Sequence, residues 1–367
     1  MKILHSITIA AITASLIWGA GCQENAEKKT ATEPASSTVW TAAQANEWYD
    51  KQPWMVGANF IPSTAINQLE MWQKESFDTA TIAKELGWAS EIGFNTMRVY
   101  LHHLAWTQDK QGFKERVGKY LDIADAKGIK TIFVIFDDCW NKVPQPGAQP
   151  APKPGIHNSG WVQDPGDPYY KDTTLFPELE TYVKDVVSHF GKDKRILLWD
   201  VYNEPGNSGK LDSSLPLLVN VFKWARAAKP EQPLTAGLWA WDFEKLNQVQ
   251  IENSDVITYH DYEDASWHKR VIELLKTHGK PLICTEYMAR TRNSYFSNIL
   301  PMLKEKKIGA INWGLVAGKT NTIYAWDTPM ADGSEPKLWF HDVFRKDGTP
   351  YKKEETDLIR QLTATGK

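Results

Sequence analysis

Short runs of consecutive apolar residues alternate along the chain with longer segments whose apolar positions recur every three or four residues. The runs cover 54–60, 96–101, 130–138, 196–203, 234–240, 256–262, 281–286 and 310–316. Their length and their β-branched and aromatic content suit strands buried on both faces. Segments 79–92, 113–127, 176–190, 215–228, 267–277 and 295–306 carry an apolar stripe at helical spacing; 243–253 does so more weakly, and 354–362 adds a final helix. Several of these end in a glycine turn, as in Gly93-Phe94-Asn95 and Lys127-Gly128, where glycine relieves a left-handed C-cap. Eight buried strands, each followed by an amphipathic helix, predict a parallel sheet that closes on itself. The expected fold is a single (β/α)8 TIM barrel, an α/β domain spanning 46–367.

The first residues follow a different pattern. Lys2, an apolar stretch over 7–18 and Gly19-Ala20-Gly21-Cys22 read as a secretory signal, too short and too early for a stable membrane span. The small residues before Cys22 resemble a bacterial lipobox, in which the cysteine is acylated and becomes the new N-terminus. Residues 1–22 are therefore expected to direct export, and the polar stretch 23–45 to act as a flexible tether. The protein is expected at the cell envelope, in the periplasm or at the outer membrane, touching the membrane only through that lipid. Cys139 and Cys284 are then the remaining cysteines, one after the third strand and one within the seventh, so no disulfide framework is expected. No close Cys or His spacing suggests a metal site.

A net charge of −3, with 24% charged residues of balanced sign, excludes the long-range attraction that nucleic acid or an anionic membrane surface requires. An uncharged partner fits better, and nothing calls for more than a monomer. The outlying residue type is tryptophan, 17 in all beside 13 Tyr and 13 Phe. Many must fill the core, but an indole face is also the surface on which the axial C–H bonds of a sugar lie flat.

The chemistry is expected at the C-terminal ends of the strands and in the loops that follow. Strand four, Ile196-Leu197-Leu198-Trp199-Asp200-Val201-Tyr202-Asn203, runs into Glu204 and is stopped by Pro205; strand seven ends Cys284-Thr285-Glu286-Tyr287. Two rim glutamates are what a retaining glycosidase needs. One attacks the anomeric carbon while the other protonates the leaving oxygen and then activates water. The long Pro- and Gly-rich loop after strand three, 139–172, supplies Trp140, His157 and Trp161 as candidate cleft walls.

Asn203-Glu204-Pro205 and Thr285-Glu286-Tyr287 together resemble the acid/base and nucleophile motifs of glycoside hydrolase clan A, most nearly family 5. The resemblance implies Glu204 as acid/base, Glu286 as nucleophile, Asn203 on the sugar 2-hydroxyl and Arg98 on strand two beside the nucleophile. It also implies Tyr262 on the nucleophile, His260 on the acid/base or a sugar hydroxyl, and Trp313 of Asn312-Trp313-Gly314 as a stacking floor. Further rim candidates are Asn59, Trp239 and Trp241, His102 and His103, Asp137 and Asp138, and the loop Gly318–Trp326 as a sugar grip. The implied activity is hydrolysis of β-linked poly- or oligosaccharide, of β-1,4-glucan, mannan or xylan type, without a cofactor. Long third and eighth loops would favour exo action on short oligosaccharides by blocking one end of the cleft. A non-catalytic glycan-binding lipoprotein would be expected to lack one of the glutamates.

Overall fold

In the computed structural model, which describes residues 38–364, the eight runs form one parallel sheet. Its strands are β1 (Val56–Asn59), β2 (Thr96–Tyr100), β3 (Lys130–Asp137), β4 (Ile196–Asn203), β5 (Leu234–Thr235), β6 (Ile257–His260), β7 (Leu282–Glu286) and β8 (Gly309–Asn312). Neighbours follow the order β5-β4-β3-β2-β1-β8-β7-β6. The two ends meet where Leu238, just beyond β5, bridges Tyr259 of β6, its amide donating to Thr258 O at 3.0 Å while His260 N–H donates to Leu238 O at 2.8 Å. The fold is the expected (β/α)8 barrel. β5 is shorter than the run 234–240 because side chains take over its backbone amides: Asp255 Oδ2 accepts from Leu234 N at 2.8 Å and Ser254 Oγ from Ala236 N at 3.2 Å.

Helices occupy the expected connections, among them Thr79–Glu91, Phe176–Phe190, Glu244–Asn253 and Lys353–Thr363. One helix, Ala42–Asp50, lies partly in the stretch expected as tether. Thr41 caps it, and the Trp40 N–H donates to Asp255 Oδ1 at 2.7 Å. The folded domain therefore begins ahead of residue 46. Trp48 and Tyr49 of this helix pack on Met55, Ile132, Leu197, Leu198, Val256, Ile283 and Ile311, plugging the N-terminal mouth of the barrel. The signal segment with Cys22, and the tether up to residue 37, lie outside the described residues.

The upper barrel is filled instead by Tyr100, Val134, Cys139, Trp161 and Trp313, with Tyr262 packed against them. This aromatic layer is the floor on which the C-terminal face is built. Above it, the β3 loop and the segment after β8 are joined edge to edge. Asn158 N–H donates to Thr320 O at 2.8 Å, Met330 N–H to Gly155 O at 3.0 Å, and the Asn321 amide to Lys153 O at 2.8 Å and Ile156 O at 3.1 Å.

Candidate active site

Glu204 and Glu286 stand at the ends of β4 and β7, and an oxygen of each, with a ring nitrogen of His260, lie within 4.8 Å of one another. Glu204 adopts φ +45°, in the left-handed region that a non-glycine residue seldom occupies. Pro205 disfavours the right-handed alternative for the residue before it. The turn is held from below by Asp138, whose Oδ2 accepts from Gly206 N at 2.8 Å. Gly206 has φ +90°, and a Cβ there would stand 2.7 Å from Leu246 and 2.9 Å from Phe243, so glycine is required on both counts.

Around Glu286 the donors converge. Arg98 Nη1 and the Tyr100 hydroxyl donate to its Oε1 at 2.8 and 2.9 Å, and the Tyr262 hydroxyl donates to Oε2 at 2.6 Å. Arg98 is itself wholly buried. Burial opposes its charge, but Tyr100, Asp200 and Glu286 around it hold the guanidinium protonated. Its Nε and Nη2 bond Asp200 Oδ2 at 3.0 and 2.8 Å, Nη2 bonds Asn203 Oδ1 at 2.7 Å, and Nη1 bonds Asn59 Oδ1 at 2.8 Å. A fixed cation thus lies directly under one of the two carboxylates.

Glu204 lies in a different environment. His260 Nδ1 is 2.8 Å from its Oε1, Cys139 Sγ donates to its Oε2 at 3.2 Å, and the Asn207 amide bonds the same Oε2. Burial pushes the Glu204 carboxyl above the usual carboxylate range, while Cys139, Asn207 and the charge of Arg98 pull it back. Burial also lowers His260 to about 4, so its ring is neutral near pH 7 and adds no positive charge. The two carboxyl groups thus sit in different surroundings, a cation beneath Glu286 and neutral donors around a desolvated Glu204.

The carboxylates open into a cleft of about 440 Å³ lined by Asp137, Cys139, Trp140, His157, Trp161, Asn203, Trp239, Tyr262, Trp313 and Trp326 among others. A second, more open space of about 670 Å³ continues past Glu204, bounded by Trp239, Trp241, His260, Tyr262, Trp267 and Trp326, and does not reach Glu286. Trp313, Trp161 and Tyr100 pack edge to face, with centroids 5.6 Å apart for the two tryptophans and 5.8 Å for Tyr100 and Trp313. Asn203 presents itself beside Glu204, its Nδ2 donating to Asp137 Oδ1 at 2.8 Å.

Several rim residues point elsewhere. Arg98 and Asn59 lie under the carboxylates and are not among the residues lining this cleft; Asn59 donates to Thr285 O at 2.8 Å and accepts from Arg98 Nη1, which holds Glu286. Asp138 faces away and gathers Tyr170, Tyr202, Lys210 and Ser214 beneath the Glu204 turn. His102 and His103 secure the β3 loop, through Gln163 O at 3.1 Å and through Asp164. In the loop Gly318–Trp326, Lys319 pairs with Glu70 at 2.5 Å and Asn321 is spent on the β3 loop, leaving Trp326 as the residue that reaches the cleft. Among the described residues two groups bring three metal-type ligand atoms within 4.8 Å, Glu204–His260–Glu286 and His102–His103–Asp164, and in each these side chains already bond one another or neighbouring groups. Sequence reasoning missed Tyr100, Asp200 and Asn207. Asp200 carried a signal, a lone acid inside an apolar strand.

Two glutamates so placed on the C-terminal rim of a (β/α)8 barrel define a glycosidase. Residues 56–318 match the family model described as cellulase (glycosyl hydrolase family 5), and the chain belongs to that family. No curated protein sequence matches the chain significantly. Among solved structures it is similar to the endo-β-1,4-mannanase of Thermotoga petrophila, at 16% identity over 86% of this chain and 77% of that one, with a TM-score of 0.57. It is similar also to GH5_18 of Streptomyces cattleya in complex with GlcNAc, at 12% identity over 84% and 79%, TM-score 0.58. A third is the exo-β-1,4-mannosidase of Opitutaceae bacterium strain TAV5, at 16% over 89% and 62%, TM-score 0.58. At such identities the likeness is one of fold.

The Cys139 thiol tests how Glu204 is tuned. Burial, then the charges of Asp137, Glu204 and Glu286, raise its pKa well above the ordinary range, so it stays a neutral, weak donor. Cys139→Ala removes that donor and should move the alkaline limb of kcat/KM to higher pH. Cys139→Ser supplies a stronger donor and should move it to lower pH. Each shift should be about 0.7 of a pH unit for about 1 kcal/mol of hydrogen bond, read from pH–rate profiles on one aryl glycoside.

Proposed function

We propose that the protein is a retaining β-glycosidase that removes single sugars from the non-reducing ends of β-1,4-linked oligosaccharides, with Glu286 as nucleophile and Glu204 as acid/base. The observation that carries the mechanism is the closeness of the two carboxylates, which leaves no room for a water between nucleophile and sugar and suits direct attack. Glu286 attacks the anomeric carbon while protonated Glu204 gives its proton to the departing oxygen. Glu204, now ionised, takes a proton from water, which displaces Glu286 and regenerates the acid. Tyr262, Tyr100 and Arg98 hold Glu286 throughout.

Exo action rests on the joined loops. The half of the cleft that contains both glutamates takes the glycone, and the half that contains Glu204 without Glu286 takes the leaving group. The glycone half is walled by the β3 loop and the segment after β8, which are hydrogen-bonded to each other. A β-1,4-mannoside is the first substrate to try, supported by the mannanase and mannosidase among the similar folds. Chromatography of early products from short β-1,4-linked oligosaccharides should show the monosaccharide first. Early release of products of two or more sugars, with a fall in polymer viscosity, would mean endo action. Export with a lipid on Cys22 belongs to the same proposal, and labelled palmitate should enter the full chain but not its Cys22→Ala variant.

A further inference from the structure

Resting on the glycone assignment above, we infer that Asn158 and His157 form the acceptor-lined end wall of a single-sugar subsite, and that the Asn158 amide reads a hydroxyl on the sugar edge remote from the anomeric carbon. Both residues line the cleft that holds Glu204 and Glu286, yet Asn158 is 1% exposed and His157 3%. Asn158 Oδ1 is buried and has no hydrogen-bond partner among the described residues. An unpaired buried amide oxygen is costly unless a ligand supplies the donor, and a sugar hydroxyl is such a donor.

His157 adds a second acceptor. Its Nδ1 lies 2.8 Å from Tyr324 O, which can only accept, so Nδ1 carries the hydrogen. Burial lowers the ring to about 4 and keeps it neutral, leaving Nε2 with a lone pair. Trp140 flanks the ring at 5.5 Å between centroids. A wall of acceptors takes the hydroxyl-bearing end of a sugar, and a further sugar linked through that hydroxyl would remove the hydrogen it needs.

The wall is fixed in place by the backbone. Asn158 has φ +47°, a left-handed conformation that asparagine tolerates better than most residues. Its N–H donates to Thr320 O at 2.8 Å and its carbonyl accepts from Trp161 N at 3.0 Å, so one residue both joins the two loops and lines the cleft.

The test compares kcat/KM for the aryl β-glycoside of the sugar hydrolysed best with its 3-, 4- and 6-deoxy counterparts, in the parent enzyme, Asn158→Gly and Asn158→Asp. Glycine keeps the left-handed backbone and both main-chain bonds while deleting the amide; aspartate keeps an acceptor. The parent enzyme should disfavour one deoxy sugar by on the order of 10²-fold. Asn158→Gly should bring that ratio close to unity, and Asn158→Asp should retain most of it. Ratios unchanged in Asn158→Gly at all three positions would overturn the assignment. Failure of the exo reading is visible separately, as aryl release from an aryl β-disaccharide matching that from the monosaccharide in the parent enzyme.

Discussion

Glu286→Gln is expected to abolish hydrolysis of activated aryl β-glycosides, lowering kcat/KM by on the order of 10⁴-fold or more while leaving the fold intact. The amide matches the carboxylate in shape but cannot form the glycosyl ester. Good leaving groups cannot compensate, because the missing step is bond formation at the anomeric carbon. Arg98 loses one anionic partner in this variant but retains Asp200 at 2.8 Å, so the buried guanidinium stays paired. Thermal unfolding should therefore move by only a few degrees, as steady-state rates and circular dichroism on one preparation would show. Retention of parent-level activity would remove Glu286 from the mechanism.

Glu204→Ala is expected to behave differently, and the contrast separates the roles of the two residues. Without its acid, turnover of natural oligosaccharides should fall by about 10²–10⁴-fold, whereas formation of the glycosyl-enzyme from a substrate with an acidic phenol as leaving group should be much less affected. Release of the sugar then becomes slow because no base activates water, and azide, which needs no base, should restore turnover and yield the β-glycosyl azide. The alkaline limb of kcat/KM should vanish in the same variant. Glu204 must be protonated for the first step, and its pKa is raised by burial, so in the parent enzyme activity persists to a pH above the ordinary glutamate range and is lost as pH rises through that raised value. A limb that survives in Glu204→Ala would assign it to another group.

The barrel was legible because buried strands and amphipathic helices are written in different periods, and because each strand of the sheet is covered on both faces. β5 was the exception: its ladder is cut short by Ser254 and Asp255, which no local pattern foretells. Glu204 and Glu286 could be read because each ends an apolar run. Rim position does not, however, tell which way a side chain points. Asp137 and Asp138 are adjacent residues of the same type, yet the first lines the cleft and the second faces the packed layer beneath Glu204. His102 and His103, also at the rim, turn to Gln163 and Asp164 of the β3 loop. Tyr100 stood in the same strand as Arg98, two positions on, and alternation along a strand puts both on one face; that was the available signal. Asn158 was not legible, since its position depends on a contact distant in sequence, with Thr320; Asn207 lies only three residues from Glu204, but the turn that brings its amide back to that carboxyl has no pattern of its own.

The central claim is that Glu286 forms a covalent glycosyl ester with Glu204 as its acid/base. An aryl 2-deoxy-2-fluoro-β-glycoside with a good leaving group slows the second step and should trap that ester. Mass spectrometry of peptic digests should then place one glycosyl group on Glu286 in the Thr285-Glu286-Tyr287 segment. A glycosyl group on any other residue, or an unlabelled enzyme whose first-formed product from ordinary substrate is the α-anomer, would contradict it.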